Sequence, residues 1–156
     1  MIVTDTREQM PLRFVNLPTL PGTLTSGDYA VKGLEQTAAI ERKSAADLVS
    51  SVTHDRDRFE RELHRLRGMR FARVLVTAPR AAIAAGDYRS NANPRAVLAS
   101  CDTFEVRYGV PFVFADDDAA GALLVERWLW LVAREAVNAA NDLARACGLT
   151  QRQAAA

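Results

Sequence analysis

The chain has 156 residues, 49% of them hydrophobic, a size and composition that suit one packed domain. Its formal net charge of +1 is too small to mark the whole chain as polybasic or as an acidic solvating segment. Met1 runs straight into Ile2-Val3-Thr4-Asp5 without a leader pattern, and the apolar run Leu129 to Ala133 falls far short of the roughly 18 to 20 residues of a membrane span, so a cytoplasmic location is expected.

In chain order, Ile2 to Thr4 predicts a short strand, followed by a loop punctuated by Pro11, Pro18 and Pro21-Gly22. Three extended stretches, Thr23 to Thr25, Tyr29 to Val31 and Thr37 to Lys43, are separated by the turn-like Ser26-Gly27-Asp28 and Lys32-Gly33. They predict an antiparallel meander. Ser44-Ala45-Ala46-Asp47 has the form of a capping box and opens a region with Leu48, Val52, Phe59, Leu63 and Leu66 at helical spacing. Thr53-His54-Asp55 splits that region into two helices, the second capped by Asp55, and Gly68 ends it. Arg73 to Thr77 predicts a buried strand, and Asn93-Pro94 starts a helix that stops at Gly109. Pro111 to Ala115 predicts another strand, and Asp116-Asp117-Asp118 places acids at the N-terminus of a long helix ending near Gly148. No linker or repeat interrupts residues 1–150, so one domain is expected, with residues 151–156 frayed. The second "GDY", at Gly86, leads into a polar loop and is read as coincidence.

Positive charge is concentrated in the middle of the chain: residues 41–73 hold nine basic against six acidic side chains, and each flank is net negative by one. A basic face fits this, but charge alone favours a solvated helix with internal Glu/Arg pairs. Cys101 and Cys147 lack metal or disulfide spacing and are expected to be buried apolar residues. His54 and His64 lie in charged helical sequence and are expected at the surface. Trp128, Trp130, Leu124 and Leu131 are expected to serve the core in preference to a dimer surface.

The pattern that carries chemistry is Gly27-Asp28, then Glu41-Arg42-Lys43, then Asp47. On a strand, side chains alternate, so Glu41 and Lys43 share one face and Arg42 takes the other. A hairpin that brings Asp28 beside Glu41 makes two carboxylates meet, which is costly unless a cation separates them. Magnesium suits such a pair because it takes oxygen ligands and keeps several waters for which a substrate phosphate can exchange. Lys43 can orient a water or stabilise charge developing on phosphorus. Asp47 adds an acid one turn later and also serves the capping box with Ser44. The chemistry indicated is phosphodiester hydrolysis.

The arrangement G-D-x(n)-E-R-K-x(3)-D resembles the signature of the XPF family of structure-specific endonucleases, read here as Gly27-Asp28, Glu41-Arg42-Lys43 and Asp47. Asp5-Thr6-Arg7-Glu8 resembles the family's D-x-R-E. Asp47-Leu48-Val49-Ser50-Ser51 and Arg58-Phe59 resemble its D-L-x-x-S and R-[FL] continuation. The resemblance implies a restriction-endonuclease-like α/β core, with a mixed central sheet flanked by helices. It also implies dependence on Mg2+, with Mn2+ able to substitute, cleavage of branched, flapped or forked DNA, and homo- or heterodimerisation through this domain. Carried over residue by residue, Asp28, Glu41, Lys43, Arg42 and Asp47 become catalytic candidates, and Asp28, Glu41, Asp5 and Glu8 become metal candidates. Arg7, Arg42, Arg58 and Arg89 are the DNA-contact candidates, Arg89 from the mixed loop Tyr88 to Asn93.

Two departures are visible. Where many relatives carry a glutamate after the next strand, this chain has Thr77-Ala78, which puts a second metal in doubt, and it shows no helix-hairpin-helix pair. A bare nuclease domain, as in small phage forms, is the reading that follows. The competing readings are a non-catalytic DNA-binding or dimerisation subunit of the same fold, and a hydrolase of small phosphorylated molecules. The second lacks any phosphate-cradling glycine run.

Overall fold

The computed structural model describes residues 1–149, so the frayed tail expected at 151–156 lies outside the described residues. The elements are β1 (Ile2–Asp5), β2 (Thr19–Gly22), β3 (Tyr29–Val31), β4 (Ala38–Lys43), α1 (Ala45–Val52), α2 (Arg56–Leu66), β5 (Phe71–Val76), α3 (Arg80–Ala85), α4 (Pro94–Tyr108), β6 (Phe112–Phe114) and α5 (Asp118–Ala146). The strands form one mixed sheet in the order β2-β1-β3-β4-β5-β6. β3 pairs antiparallel with β1 and β4, whereas β1–β2, β4–β5 and β5–β6 are parallel. The expected mixed α/β architecture is therefore present.

Two local expectations need correction, and one short helix was not foreseen. Thr23 to Thr25 is not a strand; the chain pairs with β1 earlier, through Thr19–Gly22, and in parallel. Pro21 hid this strand, but β2 is at the sheet edge, where a residue without an N–H is tolerated. The run after Pro79 forms the short helix α3, closed by Gly86 in the left-handed conformation (φ 76°). Asp55 stands at the cap position of α2 without capping it, because its carboxylate accepts the Ser50 hydroxyl at 2.7 Å. By contrast, Ser44 and Asp47 form the complete capping box of α1.

Alternation along the strands separates two cores. Val74 and Val76 of β5 pack with Leu48, Phe59, Leu63 and Phe104 of α1, α2 and α4 on one face. Leu75 joins Ile2, Tyr29, Ile40, Val125 and Leu129 under α5 on the other. Phe59 and Phe104 meet edge to face at 5.9 Å, locking α2 to α4. On the opposite face Gly121 lets α5 approach closely, since a Cβ there would lie 2.9 Å from Thr77 Cγ2. At about 43 Å, α5 is longer than the sheet it covers. Its last fully buried residue is Leu129, and Val137 and Leu143 are 58% and 66% exposed. Of the apolar residues expected inside, Leu124, Trp128 and Leu131 are half-buried, whereas Trp130 is exposed. Cys101 is buried as expected, but Cys147, at the end of α5, is exposed. His54 and His64 are at the surface. Among the described residues no helix is long and apolar enough to cross a membrane.

Candidate active site

β4 begins in the core with Ala38, Ala39 and Ile40, all fully buried, and ends in three charged residues. Alternation sends Glu41 and Lys43 toward α1 and α2. Glu41 is buried and ion-paired directly to Lys43. The Lys43 ammonium also stands 5.2 Å from the centre of the Phe59 ring, within cation–π range. Arg42 points to the α5 face, where its guanidinium pairs with Asp118 at 2.8 Å and lies 3.7 Å from Glu8.

The second component is the turn Ser26-Gly27-Asp28. Gly27 has φ +74°, and a Cβ on it would sit 2.9 Å from Ala39 Cβ and 3.1 Å from Ile40 O. Only glycine satisfies both demands without displacing β4. The turn delivers Asp28 between two strands: its N–H donates to Ile40 O at 2.8 Å, and its carbonyl accepts from Asp5 N at 2.8 Å. Asp28 Oδ2 accepts the Arg42 amide at 2.7 Å. Asp28 and Glu41 are thus placed by backbone bonds on one side of the sheet.

Both carboxylates open on a cleft of about 320 Å³ whose other walls include Asp5, Arg7, Ser51, Arg58, Phe59, Glu62 and Arg65. Burial, reinforced by the charge of Glu41, pushes the Asp28 carboxyl up to about 8. Burial raises Glu41 as well, only partly offset by Lys43. For Lys43, burial works against the charge, but the Glu41 carboxylate outweighs it and the ammonium is held above its ordinary value. Asp5 differs. Bonds from the Arg7 side chain at 2.7 and 3.0 Å, the Arg7 amide at 2.8 Å and the Leu24 amide at 2.7 Å hold its carboxyl down at about 2. Asp5 is already satisfied, whereas the Asp28–Glu41 pair carries an unmet demand for positive charge.

The structure brings Asp28, Glu41, Lys43, Asp5, Arg7 and Arg58 of the sequence candidates to this cleft. It does not bring the others. Arg42 is buried on the opposite face, Glu8 lies beside it and accepts the Met10 amide at 2.7 Å, and Asp47 is engaged with Ser44. Arg89 is exposed in its loop, outside the cleft lining. Sequence reading named Ser51 only within the D-L-x-x-S resemblance, and did not select Glu62 or Arg65 as site residues. Glu62 and Arg65 looked like ordinary helical surface charges, and only the i, i+3 spacing from Phe59 hints that they share its inward edge. Among the described residues no three His, Cys, Asp or Glu side chains converge as a cage for an ion. A two-carboxylate set nevertheless fits a hard divalent ion that keeps several waters.

No curated protein matches this sequence. Among solved structures, XPF from Aeropyrum pernix superposes with a TM-score of 0.64 at 22% identity, covering 84% of this chain and 60% of that one. The same organism's XPF in complex with DNA gives a TM-score of 0.65 at 22% identity, covering 86% of this chain and 65% of that one. The chain therefore spans less than two thirds of either structure. At this identity the likeness establishes the fold, a restriction-endonuclease-like core of the XPF nuclease type. The sequence profile of the ERCC4 domain matches residues 4–127, most of the chain, and the chain belongs to the ERCC4 domain family.

Proposed function

We propose that this protein is a Mg2+-dependent DNA endonuclease, acting on branched, flapped or forked DNA through the cleft between β4 and α2. The observation that carries the reading is the pair Asp28, half-buried, and Glu41, buried, which face one cleft with Lys43 ion-paired to Glu41. Membership of the ERCC4 domain family supports the nuclease activity, and a relative of the same fold solved with DNA supports the substrate.

Asp28 and Glu41 would hold Mg2+ or Mn2+. Such an ion, when bound, supplies Lewis acidity toward a phosphodiester and offsets the repulsion between the two carboxylates. Lys43 faces the same cleft, and its ammonium donates toward phosphate oxygen as charge develops there. Glu41 keeps that ammonium charged and aimed, and Phe59 supports it from below. Arg7 and Arg58, both largely exposed at the rim, steer the DNA backbone by charge. Arg42 serves the site from behind, through its backbone N–H on Asp28. A second copy of the chain is the proposed partner, with the exposed apolar end of α5 as contact surface. Sedimentation showing only a 17.1 kDa monomer at tens of micromolar would remove that part.

The deciding experiment incubates labelled flap, fork, duplex and single-stranded DNA with wild type and Asp28→Asn, with Mg2+ or a chelator. Wild type should cut branched DNA only with the metal, and folded Asp28→Asn should not cut. Absence of wild-type cleavage with either Mg2+ or Mn2+, with DNA binding intact, would favour the non-catalytic subunit.

A further inference from the structure

We propose that Glu62 is a positioning residue of this cleft, holding from α2 the turn that presents Asp28; the proposal rests on the metal-dependent reading above. Gly27 is the weak point of that turn. Its left-handed backbone takes its N–H out of the sheet ladder, and a buried amide without a partner is costly. Glu62 Oε1 accepts that N–H at 3.0 Å across 35 positions of sequence. The next residue along is Asp28, already held by Ile40 O, Asp5 N and Arg42 N. The Gly27 N–H and both backbone groups of Asp28 are therefore bonded, and of these three bonds only that of Gly27 is made to a side chain of a helix.

The rest of α2 supports the same assignment. Phe59, Glu62 and Arg65 follow at three-residue spacing on one edge of the helix. Phe59 lies under the Lys43 ammonium, Glu62 holds Gly27, and Arg65 Nε donates to the buried Ser26 hydroxyl at 3.2 Å. One helix edge thus fixes both ends of the proposed site, Lys43 and the Asp28 turn. Glu62 is ion-paired with Arg65, but a pair within one helix turn contributes only a few tenths of a kcal/mol and does not link elements. The link is the bond to Gly27. A carboxylate suits the place because one oxygen serves the amide and the other serves Arg65.

The test compares Glu62→Ala and Glu62→Met, which remove the acceptor, with Glu62→Gln, which keeps an oxygen for Gly27 and loses the charge. Mg2+ affinity is measured by calorimetry and Gly27 amide exchange by NMR. Removing the acceptor should weaken Mg2+ binding by about tenfold or more, in the range seen when groups behind a metal ligand are lost, and should speed Gly27 exchange. Glu62→Gln should stay within about threefold of wild type in both. Unchanged Mg2+ affinity in Glu62→Ala and Glu62→Met, or a Glu62→Gln as damaged as either while its Gly27 amide stays protected, would overturn the proposal. In the second case Glu62 would act by charge on the ion. Wild type that binds neither Mg2+ nor Mn2+ would instead remove the metal reading itself, a failure distinct from the loss of the Glu62 effect alone.

Discussion

The two faces of the sheet use the same residue types for different ends, and β4 shows this within three residues. On the α1/α2 face, Glu41 and Lys43 stand in an open polar cleft where the charges of Glu41 and Asp28 are only partly compensated. On the α5 face, Arg42 is tied to Asp118 and Glu8, and Glu126 accepts the amides of Asn16 and Leu17 at 2.7 and 2.9 Å, stapling a loop to the helix. Both faces bury acids. On the α5 face they are spent on holding the fold; on the cleft face Asp5 is spent likewise, but Asp28 and Glu41 are left available. A hollow on the α5 face, about 210 Å³ against Phe71, Trp128 and Val132, is mostly apolar. A strand therefore assigns its charged residues by parity, and neighbours in a motif need not share a role.

Lys43→Ala should sharpen the contrast most. Cleavage should fall by about 10² to 10³, the loss seen when one preorganised donor is removed, while calorimetric Mg2+ binding persists because both carboxylates remain. Loss of metal binding as well would mean that Lys43 is needed to hold Glu41 in place as a ligand, so that the two roles within the cleft are not separable.

Arg42→Ala, one residue away, should act on stability. It strands Glu8 and empties a buried site, and breaking a buried pair costs about 3–5 kcal/mol. Since Asp118 is 58% exposed and its arm is screened by solvent, the low end applies, and a fall in Tm of roughly 6–10 °C is expected by calorimetry. Cleavage measured well below that Tm should survive in large part. A stable, inactive Arg42→Ala would erase the distinction between the faces.

A smaller effect separates the faces by pH. The Asp28 carboxyl is raised to about 8 in the folded chain, so the unfolded chain ionises first. The resulting stability is fully present below about pH 4, declines as pH rises, and is lost above about pH 8. Asp5, lowered to about 2, has the opposite sign: its contribution is present above about pH 4 and lost as pH falls toward 2. Without metal, Asp28→Asn should flatten the decline between pH 5 and 8 and raise stability at pH 8. Denaturant titrations at several pH values, with and without Mg2+, would show it. An unchanged slope would mean that Asp28 carries no penalty. The smallest expected effect is that of Arg58→Ala, whose loss of one phosphate contact should reduce the salt dependence of DNA binding by about one unit of slope.

Much of this was legible before any coordinates, for reasons specific to each residue. The capping box at Ser44, the proline at the start of α4 and the switch from charged helix to Val74-Leu75-Val76 are local signals that tertiary contacts did not override. Asp28 and Glu41 could be joined because a turn and a strand are short-range objects, and the parity of Arg42 followed from the pleat. What stayed hidden was long-range. β2 carries a proline and pairs in parallel, so it lacks both alternation and a hairpin turn. Glu62 looks like any helical surface acid until Gly27, 35 positions away, is seen to donate to it. The exposure of Cys147 depends on where α5 outruns the sheet, which no periodicity within the helix reveals, whereas Trp130 shares the outer stripe of α5 with Leu123 and Arg127.

Gly27 also separates two histories that a motif alone confounds. Its side-chain-free backbone is demanded by Ala39 and Ile40, which belong to the core and have no part in chemistry. A lineage that ceased to cut DNA but kept this fold would still be held to glycine there, while Glu41 and Lys43 became free to drift. The glycine of the signature thus reports inheritance of the architecture, and under the nuclease function proposed above the two charged residues of β4 that share its cleft would report whether the activity was kept.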